Sequence, residues 1–115
     1  MDEDLDALFQ NCIFWGENGT VEDEVVAAKS AGAVFKVNFE YCLWKVQNIP
    51  PVTMVQIINN QDPAFDSIST SNKFYDFHLK DISPALNQGT SAGVVIDLDG
   101  NLRPVGPDLG CYERQ

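Results

Sequence analysis

The segment from Asp97 to Asn101 carries the residues that most clearly could bind a cation. Oxygen-bearing side chains stand at its first, third and fifth positions, as in the calcium-binding loop of an EF-hand. The rest of that loop does not follow, because Leu102 occupies the place of the turn glycine and Asp108 replaces the bidentate glutamate. We therefore interpret the segment as a turn and predict neither a metal ion nor another cofactor.

Arg103 follows this turn directly, in a region that also contains several acidic residues. We predict that Arg103 pairs with one of Asp97, Asp108 and Glu113, because a bidentate arginine–carboxylate contact would hold two segments of chain together. We expect these residues to stabilise the fold rather than to catalyse a reaction.

Catalytic chemistry has few candidates elsewhere. The single histidine, His78, alternates with Asp76 and Lys80 on what would be the solvent face of a strand, and the sequence places no partners for a triad or a zinc site beside it. Glycan cleavage needs carboxylates that converge on one face, whereas the acidic run Glu22–Glu24 is typical of a solvated surface. We predict no catalytic residues and expect the chain not to be an enzyme.

Trp15 and Trp44 are candidates for glycan contact, because paired tryptophans can form an aromatic platform for sugar rings. The alternative is that both pack in the core, where so short a chain needs its large aromatic side chains. The three cysteines are an odd set without metal-site spacing, and we predict small buried residues; a Cys12–Cys42 disulfide is the alternative.

Alternation of apolar and polar residues predicts that strands position these groups. Residues 34–41 have apolar side chains at the odd positions, and residues 11–15 and 75–79 are predicted as further strands. Asn11-Cys-Ile13 and Tyr41-Cys-Leu43 are similar triplets 30 residues apart, as expected at equivalent places on successive turns, or rungs, of a β-solenoid. The excursion between them, residues 20–32, is expected to hold a strand through residues 24–27, with a short helix as the alternative. Residues 52–58 are predicted to be extended and residues 67–73 to be a loop.

The end of the chain is predicted to form a hairpin. Val94–Ile96 would be its first arm, Asp99-Gly100 its turn, and Leu102 would lie on the returning arm. A solenoid needs such a device, because the last rung otherwise exposes an unpaired edge.

Three motifs in this region occur in a specific order. They are Ser83-Pro-Ala85, then Asp97-x-x-Gly100-x-x-Arg103-Pro104, then Asp108-x-Gly110-Cys-Tyr112-Glu113, and Asp62-Pro63-Ala64-Phe65 precedes them. The set resembles the closing segment of right-handed parallel β-helix proteins of bacterial surfaces, the choice-of-anchor Q type of pectate-lyase-like solenoid. The resemblance covers residues 57 to 113, and Cys111 departs from it, since alanine is usual there. It implies a fold and a place at the cell surface more directly than it implies a reaction.

Charge and hydropathy exclude other classes. The 115 residues carry a formal net charge of −10 without a basic stripe, so nucleic acid is not an expected partner. No apolar run is long enough for a membrane span, and the first residues lack the charged and apolar regions of a signal peptide. An extracellular or cell-surface location, implied by the resemblance, would require that the chain be a piece of a longer precursor.

We therefore predict an all-β fold, a right-handed parallel β-helix fragment of about three to four rungs with a C-terminal hairpin cap. It would be a single domain, residues 1–115, with rungs in residues 1–80 and the cap in residues 81–115. The expected function is a non-enzymatic structural or capping module that stacks on preceding rungs of a larger secreted protein. A glycan-binding or polysaccharide lyase- or hydrolase-related domain is the alternative. The cap residues would be Asp97, Gly100, Arg103, Asp108, Gly110, Tyr112 and Glu113.

Overall fold

The computed structural model describes residues 5–16, 21–27, 35–69 and 71–114. In these residues the fold is all-β, with eight strands and no helix. The strands are β1 (Leu5–Gln10), β2 (Ile13–Phe14), β3 (Phe35–Glu40), β4 (Leu43–Trp44), β5 (Thr53–Val55), β6 (Ile58–Asn59), β7 (Phe65–Ser69) and β8 (Phe74–Leu79).

The first six strands form two parallel sheets with the same layered order. β1, β3 and β5 make the first sheet, and β2, β4 and β6 make the second. Leu5 pairs with Phe35 and Ile13 with Leu43, so the first two layers are offset by the 30 residues that the repeated triplets predict. The third layer follows after a shorter interval, because Leu43 pairs with Ile58.

One corner residue in each layer joins the two sheets. Asn11, Tyr41 and Gln56 occupy this place, and all three have a positive φ of 53–59°. Asparagine tolerates this left-handed conformation, whereas tyrosine and glutamine adopt it only where their surroundings enforce it. At the first two corners the ladder holds this conformation, since the N–H of Asn11 donates to the carbonyl of Glu40 and the N–H of Tyr41 donates to the carbonyl of Val55.

Apolar side chains fill the space between the two sheets. The rings of Phe9 and Phe39, on adjacent layers, stack at a centroid distance of 4.7 Å, and Phe14 and Trp44 meet Phe39 edge to face. Along β3 the odd positions point inward, with Val37 and Phe39 buried, as the alternation predicts.

The second sheet is covered on its other face as well. Leu43 is fully buried there with Leu79, Ala85 and Leu109, which come from β8 and from the segment that follows it. β7 and β8 form an antiparallel hairpin, and only a single bridge, Ile96 to Leu102, pairs the two arms of the predicted terminal hairpin. The C-terminal segment, residues 81–114, therefore packs on the flank of the layers.

One local prediction is wrong, and two others are confirmed only in part. Residues 24–27 form neither a strand nor a helix, because Asp23 and Glu24 bond instead to the backbone of the second layer, at Lys45 to Asn48. The predicted loop at residues 67–73 contains the end of β7. The extended run at residues 52–58 is broken by the corner at Gln56.

Candidate functional site

Asp97 is a buried acceptor at the base of the C-terminal turn. Its Oδ1 accepts the backbone N–H groups of Asp99 and Asn101, both at 2.9 Å, and its Oδ2 accepts the N–H of Glu113 at 2.7 Å. Burial acts to raise the pKa of Asp97, but the N–H donors outweigh it and hold that pKa below its usual value. The carboxylate joins the turn to the last residues of the chain, and Gly100 supplies the positive φ that the turn needs.

Asp108 and Glu113 extend this use of carboxylates as backbone acceptors. Glu113 Oε2 accepts the N–H of Asp108 at 2.8 Å, and Asp108 in turn accepts the N–H groups of Asn87 and Arg114. Both acids are buried. Burial raises the pKa of the Glu113 carboxyl; the backbone N–H of Asp108 opposes this shift, whereas the charge of the Asp108 carboxylate adds to it.

Arg103 is the cation within this acidic network. It donates to the backbone carbonyls of Asp108 and Gly110 at 3.2 and 2.9 Å, and its Nη1 lies 3.6 Å from Glu113 Oε1. Its side chain is only 11% exposed. Of the three carboxylates considered, Glu113 is thus the one that Arg103 contacts. That this contact holds two segments of chain together stays a prediction.

The network reaches the layered sheets at the first corner. Gly110 donates its N–H to the carbonyl of Asn11 at 2.8 Å, and a Cβ at Gly110 would lie 3.0 Å from Ile13 Cδ1. The side chain of Asn11 exchanges two hydrogen bonds with the backbone of Thr90, at 2.7 and 2.8 Å. These contacts lie on the first layer, and all three residues of β5, the edge strand of the third layer, are exposed. The segment clamps the flank of the stack rather than the edge of its last layer.

Tyr112 takes part in a cluster that the sequence did not reveal. The His78 ring stacks on Tyr112 at a centroid distance of 3.8 Å, and its two nitrogens lie 2.5 Å from carboxylate oxygens of Asp76 and Asp99. Hydrogen bonds to Asp99 and Asp76 raise the pKa of His78. The imidazole joins β8 to the C-terminal turn. The sequence places Asp76 beside His78, but it does not indicate the contact with Asp99, which lies 21 residues away.

The predicted pair of surface tryptophans does not form. Trp44 is fully buried in the core between the sheets, as the core-packing interpretation of the sequence predicts, and it is therefore not available for glycan contact. The cause is the corner at Tyr41, which resets the alternation and turns Trp44 inward against Phe39. Trp15 is half-buried, with the ammonium group of Lys45 5.0 Å from the centre of its ring.

Trp15 instead lines a cavity of about 630 Å³ between the first corner, the β7–β8 hairpin and the C-terminal segment. Phe65 and Phe77 form part of the wall, and Asn11 and Arg103 add polar groups. Among the residues that the structure describes, no carboxylate side chain contributes to the lining. The cavity has the size and the aromatic lining of a small-molecule site.

The three cysteines are free thiols in different surroundings. Cys42 is buried and Cys12 is half-buried, but Cys111 is exposed, so the prediction that all three are buried is wrong for Cys111. Cys12 and Cys111 both line the cavity.

Within the described ranges, no cluster of three or more histidine, cysteine or acidic side chains has the arrangement of a metal site. The same residues contain no helix that is long and apolar enough to cross a bilayer. The comparisons with protein-family models and with curated proteins find no match to this sequence.

Proposed function

We propose that the chain is a non-enzymatic structural module, the terminal rungs of a right-handed parallel β-helix with a C-terminal segment that clamps them. The observation that carries this proposal is the in-register stack of two parallel sheets with one left-handed corner residue in each layer. Parallel crossovers within one sheet are right-handed in about 98% of cases, which favours that hand. The motif resemblance agrees with this fold and supports an extracellular or cell-surface location.

The first layer has the features of a surface that receives another rung. β1 is an edge strand, and the phenylalanine stack between the sheets ends at Phe9. A second cavity, of about 300 Å³, opens there between Leu5, Ala7, Phe9 and Val26, and Leu5 and Val26 are exposed. A preceding rung would pair with β1 and place apolar side chains in this mouth, as each rung of a solenoid does for its neighbour.

The C-terminal segment would stabilise the packing of the layers in such a module. Leu43 and Leu109 are buried where the segment covers the outer face of the second sheet. The segment's acidic and arginine network then fixes its path across that face. Its structural work is to bury the flank of the stack.

Self-association of the isolated chain tests whether the first layer receives another rung. The open mouth of one copy should dock on the exposed β5 edge of another, so sedimentation velocity should show association that grows with concentration. Ala7→Asp places a charge inside the apolar mouth and should give monomers, whereas Leu8→Asp carries the same charge on the outer face of β1 and should associate like the unaltered chain. Circular dichroism melts verify that both variants fold. A monomeric unaltered chain at all concentrations, or equal association of both variants, contradicts the proposal.

The cavity beside Trp15 supports a second candidate, glycan binding. One wall is aromatic, and Asn11 and Arg103 are polar residues of its lining. A glycan array followed by tryptophan fluorescence tests this function, with Trp15→Phe as the variant that should lose both the hit and its spectral shift. Because Trp44 is buried, it should keep its own emission and serve as an internal reference.

A further inference from the structure

Two thiols occupy equivalent places in adjacent layers. Cys12 and Cys42 each follow the corner residue of their layer, and their neighbours Ile13 and Leu43 are paired. Adjacent strands in a sheet lie about 4.8 Å apart. That spacing falls within the range of about 4.4–6.8 Å that a disulfide bridges between Cα atoms. The side chain of Cys42 already reaches the first layer, since its Sγ lies 3.4 Å from the carbonyl oxygen of Phe9, and Cys12 Sγ lies 3.2 Å from that of Gln10.

The two thiols differ in access and in acidity. Cys42 has no exposed surface, whereas Cys12 is half-buried and lies in the wall of the larger cavity. The hydrogen bond from Cys42 lowers the pKa of Cys12 to about 7, although burial opposes it, and the same contact raises the pKa of Cys42. The reachable thiol is therefore also the one with more thiolate at neutral pH, as an attacking cysteine requires.

We propose that Cys12 and Cys42 form a redox-active thiol pair that reduces a small-molecule disulfide bound in the larger cavity. The Cys12 thiolate attacks one sulfur, the disulfide of the small molecule breaks, and one half leaves as a thiolate that takes up the proton lost by Cys12. Cys42 then attacks the sulfur of Cys12, and the second half leaves with the proton of Cys42. Two protein thiols are oxidised and one small disulfide is reduced to two thiols.

The charge of the protein selects among such disulfides. With a net charge of −10, the chain should attract a cationic disulfide and repel an anionic one. Cystamine, with two ammonium groups, is the matching probe, and oxidised glutathione is its anionic counterpart. Cystamine should react faster, and the difference should shrink with added salt.

The product should join the first two layers covalently. Closing the 30-residue loop between Cys12 and Cys42 restricts the unfolded chain, so the oxidised protein should melt at a higher temperature. The fold places the two residues side by side for this bond, because the strands that follow them are paired through Ile13 and Leu43.

The experiment treats the reduced full chain with cystamine, blocks remaining thiols with N-ethylmaleimide, and maps tryptic peptides without reduction. Cleavage after Lys29 and Lys36 separates the two cysteines, so a linked peptide pair identifies the bond. Cys42→Ser should stop at a mixed disulfide on Cys12, and Cys12→Ser should leave Cys42 unmodified.

Cys111 is the matched control, since it is an exposed thiol that lines the same cavity. Cys111→Ser should form the Cys12–Cys42 bond at the unaltered rate. The proposal is overturned if cystamine modifies Cys111 alone, or if Cys12 becomes linked to Cys111 instead. Melting curves of the reduced variants verify that each serine substitution leaves the fold intact.

Discussion

Replacement of Asp97 by asparagine tests whether its carboxylate holds the C-terminal segment in place. Asparagine is nearly isosteric, and its one carbonyl oxygen can still accept the N–H groups of Asp99 and Asn101. The amide nitrogen would then face the N–H of Glu113, which the carboxylate now accepts at 2.7 Å. Two donors would oppose each other at a buried position.

The expected loss of stability follows from the one N–H group, that of Glu113, whose acceptor the substitution removes. Asp99 is exposed and Asn101 is half-buried, so water can compensate their donors, but Glu113 is 5% exposed. Loss of a hydrogen bond to a charged acceptor, with a buried donor left unpaired, destabilises a protein by about 2–4 kcal/mol. For a chain of this length, that corresponds to a fall in melting temperature of roughly 8–16 °C.

Calorimetry and urea titration at neutral pH measure the effect. Asp81→Asn removes the same charge at an exposed position and is the control. Because the pKa of Asp97 is lower in the fold than in the unfolded chain, its contribution is present above the unfolded value of 3.8 and is lost as the pH falls through the folded value. The two variants should therefore converge in acid. Equal melting of both at neutral pH would refute the role given to Asp97.

Substitutions at three other positions probe the remaining contacts. Arg103→Ala should destabilise the fold by about 3–5 kcal/mol, because it removes the cation 3.6 Å from the buried carboxylate of Glu113, and Arg103→Lys should recover part of that loss in a thermal melt. His78→Gln should remove a pH dependence of the free energy of unfolding, measured by urea titration. Because the pKa of His78 is raised in the fold, its stabilisation is complete below about pH 6.5 and is lost as the pH rises through the folded value. A variant whose stability changes with pH as steeply as that of the unaltered chain would contradict the pairing. The free energy of unfolding of Asn11→Gly should exceed that of Asn11→Ala by about 1 kcal/mol, since both lose the bonds to Thr90 but only alanine is strained at a positive φ. Equal melting temperatures of the two variants would exclude that strain.

The sequence predicted the features that depend on local alternation and on repetition. The alternating residues of β3 identified its buried face, and the triplets at Asn11 and Tyr41 gave the register of the first two layers. The third corner was missed, because Gln56-Ile-Ile58 lacks the cysteine that the triplets at Asn11 and Tyr41 share. What the three share is a backbone conformation, which the ladder imposes and which their residue types do not reveal.

The burial of both faces of β4 was missed for a different reason. An alternating strand predicts one buried face, but β4 has Leu43 and Trp44 buried on opposite faces, because the C-terminal segment covers the outer one. That cover comes from residues far along the chain, so no local pattern contains it. The same holds for His78, whose partner Asp99 approaches only after the segment has turned back.

The hydrogen bonds between Asn11 and Thr90 also bear on the order of folding. They join residues 79 positions apart, and Gly110 reaches the same corner from still farther along the chain. Closing so long a loop is slow, because its entropy must be lost before the contacts form. During synthesis the three layers emerge long before the residues that cover Leu43. Until then the second sheet exposes an apolar flank, which makes this interval the one in which the nascent chain is most prone to aggregate.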